Sequence, residues 1–426
     1  MTATATGRLA ILGGPRAVPE GLTFHVWPEV TPEDEELVLA SLRQDRHAFG
    51  PHAQMLQEEF AAWNGNRFCM ATNSGTAALH MCVAACGIGA GDEVITTALS
   101  WTSSASCIIH HNAVPVFVDV TWDSQHLDPA RIEAAITTRT RGILAVHYWG
   151  VCADMDPILE IGRRHGLPVI EDACQAHGAL CGGRKAGTMG AAAAFSLNQN
   201  KNLCGGEGGF FVTDDEVRFT RGKAVTSFSD MRPIEAGRDY HDYGLGWMYR
   251  TSDLAAAFAL GQLRRLDRTN AQALANWRRL HERLEGTPHL VRSYTSAERP
   301  TNGYAYVLRV APDYARARGV PLRAVTLGIQ KALAAEGVST SLASWMLPAH
   351  AVFQAKDAFG KGSPWDRARP GISYDPAQFR VAQDCIDTCL WGINNHRPPN
   401  GPEQVDALAA AVRKVFEQLD SVPVEA

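Results

Sequence analysis

No stretch of about 20 consecutive apolar residues occurs in this chain, which argues against a membrane-spanning helix. Basic residues are not in excess: 40 lysines and arginines stand against 45 aspartates and glutamates, a formal charge of −5. With no polybasic run, the chain lacks the electrostatic footprint of a binder of nucleic acid or of an anionic membrane. Its ten cysteines include no Cys-x-x-Cys, and the closest pairs, Cys82/Cys86 and Cys385/Cys389, lie in helix-like segments. A zinc site needs more ligands at set spacings, so no metal is expected and the cysteines read as buried reduced thiols. The N-terminus offers only the short apolar run LAIL, too short for the core of a secretion signal, which places the protein in the cytosol with small molecules as its ligands. Internal repeats and low-complexity tracts are also missing.

What is there is an ordinary globular composition, 46% hydrophobic and 20% charged over 426 residues, enough for a large core and two domains. From about residue 55 to 215, β-branched runs (RFCMAT, DEVITTAL, VPVFVDV, GILAVHYW, LPVIEDA, GGFFVTDD) alternate with helical patterns (TAALHMCVAACG, PARIEAAI, DPILEIGRRHG). Such alternation predicts an α/β fold with a mostly parallel sheet and helices on both faces. Ligands of such sheets bind beyond the carboxyl ends of the strands. One long helix is expected from Ser252–Asp253, either of which suits the N-cap, to a stop near Gly286, carrying Leu254, Phe258, Leu263, Leu266, Leu274, Trp277 and Leu284. After it come a strand-like YAYVLRV, a helix LRAVTLGIQKALAAEG and a closing helix GPEQVDALAAAVRKVFEQLD. The expected division is an N-terminal arm (1–30), a large domain (31–270) and a smaller C-terminal α+β domain (271–426).

Several strand ends carry chemistry. In NSGTAAL a strand ends in Ser-Gly-Thr as a helix begins, and free N–H groups with the helix dipole suit a phosphate; a plain N-capped turn reads the same way. Trp101 follows the next strand, where an indole can stack on a flat ring or simply pack. Asp172 ends the buried strand of VIEDACQAHGA; a carboxylate there wants a cation or strong donor, such as a protonated pyridine nitrogen, and Gln175 can reach the same ligand. In FSLNQNKNLCGGEGG, Ser196 offers a hydroxyl to a phosphate and Lys201 an amine to an aldehyde. A phosphate cradle, a ring stacker, an acid and a lysine are together the parts that pyridoxal phosphate requires. The glycine run GIGAGDEV follows a helix and precedes a strand, the reverse of a dinucleotide fingerprint, so it reads as a turn. GGEGG precedes a strand and reads as close backbone approach.

With these motifs, and with LRQDRHAFGP, VHYWGVCADMDPI and GLGWMYRTSDLAAAFALGQLRRLD, the chain resembles the DegT-like family of nucleotide-sugar and aminocyclitol aminotransferases, fold type I enzymes that use pyridoxal 5'-phosphate. The resemblance implies that Lys201 forms the Schiff base, Asp172 pairs with the pyridine nitrogen, Trp101 stacks on the ring, Gln175 lies near its hydroxyl, and Gly75, Thr76 and Ser196 hold the phosphate. It implies transfer of an amino group from L-glutamine or L-glutamate to a keto-cyclitol or keto-sugar, in aminosugar or aminocyclitol antibiotic biosynthesis, by a homodimer. KDAFGKGSPW resembles the cyclitol branch. Relatives with histidine for the lysine are dehydratases, which Lys201 argues against; an aromatising dehydratase that keeps the lysine stays open. Met248 stands where the family usually has an asparagine that reaches the partner subunit's phosphate, and methionine has no donor to replace it. Arg250 or a neighbour of Tyr249 is the expected substitute, and a non-catalytic cofactor-binding subunit is the alternative.

Overall fold

The structure is a computed structural model that describes residues 7–227, 246–344, 346–392 and 395–424. The first six residues of the expected N-terminal arm therefore lie outside the described residues.

The strands of the first half are β1 (Phe68–Thr72), β2 (Glu93–Thr97), β3 (Val114–Val118), β4 (Thr140–Val146), β5 (Val169–Asp172), the short hairpin β6 (Leu180–Cys181) and β7 (Arg184–Lys185), then β8 (Ala192–Ser196) and β9 (Gly209–Thr213). Seven of them form one sheet in the order β1-β9-β8-β5-β4-β2-β3. β3, β2, β4, β5 and β8 run parallel, and β9 is antiparallel to both its neighbours. Successive side chains of a strand point to opposite faces. Val94, Leu144 and Phe211 accordingly enter one apolar core while Ile95, Ile143 and Phe210 enter another. A sheet buried on both faces is what the unbroken apolar strands anticipate.

Within this seven-stranded sheet, β8 is the strand that pattern reading missed. Ala-Ala-Ala-Phe-Ser has weak strand propensity, yet it lies between β5 and β9. Small residues are needed there because the helix Gly75–Ala85 comes very close: a Cβ on Gly75 would stand 2.8 Å from Ser196 Cβ.

A second sheet of β10 (Leu290–Val291), β11 (Leu308–Val310), β12 (Ser341–Leu342) and β13 (Cys389–Trp391) is antiparallel, in the order β10-β11-β13-β12. The helices Leu266–Arg283, Leu322–Glu336 and Pro402–Glu417 share a third core through Trp277, Ile329 and Val412, which also takes in Leu9 and Val18. The expected strand YAYVLRV is shorter than its pattern: only Leu308–Val310 pair, and Tyr304 is used elsewhere.

The single long helix is two, Asp253–Arg264 and Leu266–Arg283, broken at Arg265 (φ −110°, ψ 7°). Arg265 forms a buried ion pair with Asp34 and also donates to the Gly261 carbonyl, interactions that an apolar pattern does not reveal. Ser252 is the N-cap, without a side-chain bond. Asp253 turns instead to two neighbouring helices, accepting from Ala53 N–H (3.0 Å) of Pro51–Asn64 and from Ser41 Oγ (2.7 Å) of Pro32–Arg43.

Glu171, fully buried beside Asp172, holds the end of this framework. Its carboxylate accepts from Gly187 N (2.8 Å), Met189 N (2.8 Å), Gly190 N (2.5 Å) and His147 Nε2 (2.9 Å). Burial pushes its pKa up, but His147 and the backbone donors outweigh that and leave it below the ordinary 4.5. A depressed carboxylate contributes stability above its unfolded value and loses it as pH falls through the folded one. Glu171→Ala is expected to destabilise by about 3–5 kcal/mol because it orphans these donors. Urea unfolding at pH 7 checks this, and the gap to wild type should narrow below about pH 4, where protonation removes the same charge. A loss under about 1 kcal/mol would mean that solvent replaces the carboxylate.

Candidate active site

The carboxyl ends of β1, β2, β4, β5 and β8 meet at a cavity of about 430 Å³, within the usual size range of small-molecule sites. Gly75, Thr76, Trp101, Asp172, Gln175, Ser196 and Lys201 all line it, so the fold gathers these seven, while Met248 and Arg250 are not in its lining.

One wall is the start of the helix Gly75–Ala85. Ser74 is its N-cap and accepts from Ala77 N–H (3.1 Å), and the first N–H groups of a helix have no intrahelical acceptor. A Cβ at Gly75 would also sit 3.0 Å from Cys174 Sγ, so only glycine lets Ser196 approach this helix end. The result is a small concavity of N–H groups flanked by the Thr76 and Ser196 hydroxyls, Thr76 being bonded to Ser103 (2.7 Å). Its donor chemistry fits a phosphate.

Asp172, nearly buried, receives Ser104 Oγ–H on Oδ2 (2.7 Å) and Cys174 N–H on Oδ1 (3.2 Å). Ser104 is in turn bonded to Ser100 (2.7 Å), so the carboxylate is held in one orientation at the cavity wall. Such an acid fits a protonated ring nitrogen. Trp101 is 57% exposed at the cavity, a position open to a flat ligand. Gln175 is committed through Oε1 to Trp149 N–H (2.9 Å).

Lys201 donates from Nζ to Tyr304 OH (3.3 Å), with the amine 5.3 Å from the Tyr304 ring centre. Its loop is fixed from two sides: Trp27 Nε1 donates to the Lys201 carbonyl (3.1 Å) and Arg397 to the Asn200 carbonyl (2.8 Å). Burial alone pulls the Lys201 pKa down, but Tyr304, Cys174 and Asp172 reverse this and hold the ammonium above its ordinary range. A positive charge placed against Asp172 would work the other way and release the amine.

Tyr304, Tyr148, Trp149 and Trp391 complete the lining and were missed from the sequence. Tyr304 lay inside an apparent strand, and Trp391 approaches from the second sheet. Only VHYWG, just past β4, carried a local signal. Met248 is 39% exposed; its sulfur accepts from Arg250 Nε (3.1 Å) and its carbonyl from Asn73 Nδ2 (3.3 Å). Arg250 therefore stands beside the position that lacks asparagine.

Residues 28–358 match the model of the DegT/DnrJ/EryC1/StrS aminotransferase family. The chain is 39% identical over 324 residues to the L-glutamine:scyllo-inosose aminotransferase of Streptomyces griseus, covering 72% of this chain and 74% of that one. It is 34% identical over 393 residues to the L-glutamine:2-deoxy-scyllo-inosose aminotransferase of Streptomyces kanamyceticus, covering 88% of each. Among solved structures, 3-amino-5-hydroxybenzoic acid synthase superposes with a TM-score of 0.82 at 25% identity, over 93% of this chain and 99% of that one.

Proposed function

This chain belongs to the DegT/DnrJ/EryC1/StrS aminotransferase family, whose cofactor is pyridoxal 5'-phosphate, and from that premise we propose that it transfers the amino group of L-glutamine to a keto-cyclitol of the inosose type. The observation that carries the reading is the convergence of Lys201, Asp172 and the Ser74–Thr76 helix start on one cavity. The inosose relatives support the acceptor class. So does charge: among the described residues lining the cavity Lys201 is the only lysine or arginine, so this wall offers no second cation to the diphosphate of a nucleotide-linked sugar.

When bound, the cofactor supplies an aldehyde that condenses with amines and a ring that takes up the electron pair left by a departing proton. The protein does the rest. Gly75, Thr76 and Ser196 would hold the phosphate, Trp101 would cover the ring, and Asp172 would keep a proton on the pyridine nitrogen. Lys201 Nζ would provide the covalent attachment and, once freed, would be the base that takes the proton from the donor Cα and gives it up again on the carbon at the other side of the amino nitrogen. Tyr304 OH orients that amine. The same residues would serve the reverse path, in which the ketone is aminated.

A homodimer is part of this proposal. Trp247 (43% exposed) and Met248 (39%) leave apolar surface that a second copy would cover. Sedimentation equilibrium should return twice the chain mass, and a monomer would remove this part.

The functional test is a half-reaction on the cofactor-loaded protein. L-Glutamine is expected to bleach the visible cofactor band with one equivalent of oxo acid released, and scyllo-inosose to restore it. A band indifferent to both L-glutamine and L-glutamate would sink amino transfer. Restoration by nucleotide-linked keto-sugars alone would reject the cyclitol, and release of an aromatic product would favour the dehydrating alternative.

A further inference from the structure

Trp149 has a backbone that its side chain disfavours. It lies at φ 58°, ψ 20°, left-handed space that bulky L-residues rarely enter, in the turn Tyr148–Gly150 just past β4. Three interactions keep it there. Its N–H donates to Gln175 Oε1 (2.9 Å) and its indole Nε1–H to Gln125 Oε1 (2.6 Å), and Gln125 is itself at φ 62°. The next residue, Gly150, is locked against the chain at 302–304: its carbonyl accepts from Asn302 N–H (2.9 Å), and a Cβ on it would lie 2.2 Å from Asn302 Oδ1.

The outcome of this construction is an indole held in one place at the cavity wall, with 7% of its surface exposed. Trp149 lines the cavity with Trp391, their rings 6.0 Å apart and inclined by 39°, and Tyr148 packs behind at 4.3 Å. Strain maintained by separate tethers, at the wall of a reacting cavity, marks a position where orientation matters. The chemistry of the wall says what it orients. A saturated six-membered ring with equatorial hydroxyls carries its polar groups on the rim and its C–H groups on the faces. The negative face of an indole attracts such C–H groups, and a flat apolar plate rejects a charged or branched substituent in the same place.

We propose that Trp149 is a specificity-determining residue for the acceptor, an apolar plate in the cavity wall against which the C–H groups of a compact keto-cyclitol pack, with Gln125 and Gln175 as its positioning residues. This rests on the keto-cyclitol reading above. It assigns Trp149 no part in the donor half-reaction: its indole is tethered to Gln125, which does not line the cavity, and its bond to Gln175 is made by the backbone N–H, which any non-proline residue at 149 keeps.

The test uses the cofactor-loaded full chain and two variants. Trp149→Gly suits the left-handed backbone and so keeps the turn while removing the plate; Gln125→Leu keeps the indole and cuts its tether. Bleaching by L-glutamine is expected to stay within about threefold of wild type in both, whereas kcat/KM for scyllo-inosose falls about 30-fold in Trp149→Gly, the size typical of a buried aromatic anchor. Gln125→Leu should fall in between. Calorimetric binding of scyllo-inositol, which has no carbonyl to react, should weaken in the same order. Unchanged scyllo-inosose kinetics and scyllo-inositol binding in Trp149→Gly would overturn the assignment, as would equal losses in both half-reactions, which mark a structural role. A wild-type protein that bleaches with L-glutamine but ignores scyllo-inosose and scyllo-inositol rejects the acceptor reading itself, and the plate with it.

Discussion

A Lys201→Ala protein is expected to lose amino transfer by at least about 10³-fold, because the proposed mechanism makes one side chain both the attachment point and the proton carrier. The geometry makes substitution by a neighbour difficult. Lys201 Nζ is held at Tyr304 OH, inside a wall whose other members are hydroxyls, amides, a thiol, carboxylates and aromatic rings. No second amine lines the cavity among the described residues. Lys201→Arg separates charge from reactivity: guanidinium keeps the positive charge beside Asp172 and Tyr304 but does not deprotonate, so it should be equally inactive while folding normally. Stopped-flow absorbance with L-glutamine measures both variants. Bleaching by either at more than a few per cent of the wild-type rate would remove Lys201 from the chemistry.

Asp172→Asn should cost about 10²–10³-fold in the rate of the same half-reaction, with cofactor still bound. The substitution is nearly isosteric, and the local network can absorb it. Ser104 can turn its hydroxyl toward Ser100 and accept from the new amide, while Cys174 N–H keeps an oxygen acceptor. Stability should therefore change little, in contrast to the Glu171→Ala loss one residue earlier. What disappears is a full negative charge held within the cavity wall, where water screens it weakly. A neutral amide cannot keep a proton on a ring nitrogen. The variant also removes one of the influences that raise Lys201, so its ammonium should deprotonate at lower pH than in wild type. Single-turnover rates across pH with L-glutamine test both effects. Rates within severalfold of wild type would mean that Asp172 is only a strand-end anchor.

Lys201 and Asp172 could be read from the sequence because the signals that mark them are local. Asp172 sits at the end of a short apolar strand, where a polar residue of an α/β sheet has few purposes other than a ligand, and Lys201 stands among asparagines directly ahead of a glycine-rich run. The alternation of strand and helix, the burial of the sheet on both faces and the turn at Ser74–Thr76 follow from periodicity over a few residues. Carrying those readings to a cofactor required only that the strands be parallel, so that their ends converge.

What pattern could not supply are contacts between residues far apart in the chain. β8 is a strand because β5 and β9 flank it and the helix Gly75–Ala85 allows only small side chains there, which overrides the weak propensity of three alanines. The long amphipathic run after Ser252 breaks because Arg265 is paired with Asp34, 231 residues away. Tyr304 reaches Lys201 across 103 positions, Trp391 arrives from the second sheet, and Trp149 faces the cavity only because Gln125, Gln175 and Asn302 hold its backbone where it would not otherwise rest. The sequence by itself determined which chemistry the strand ends carry, since that depends on side-chain type and local period. Only the tertiary structure decided which walls close around it, since a wall is built from segments that meet through packing and not through order in the chain.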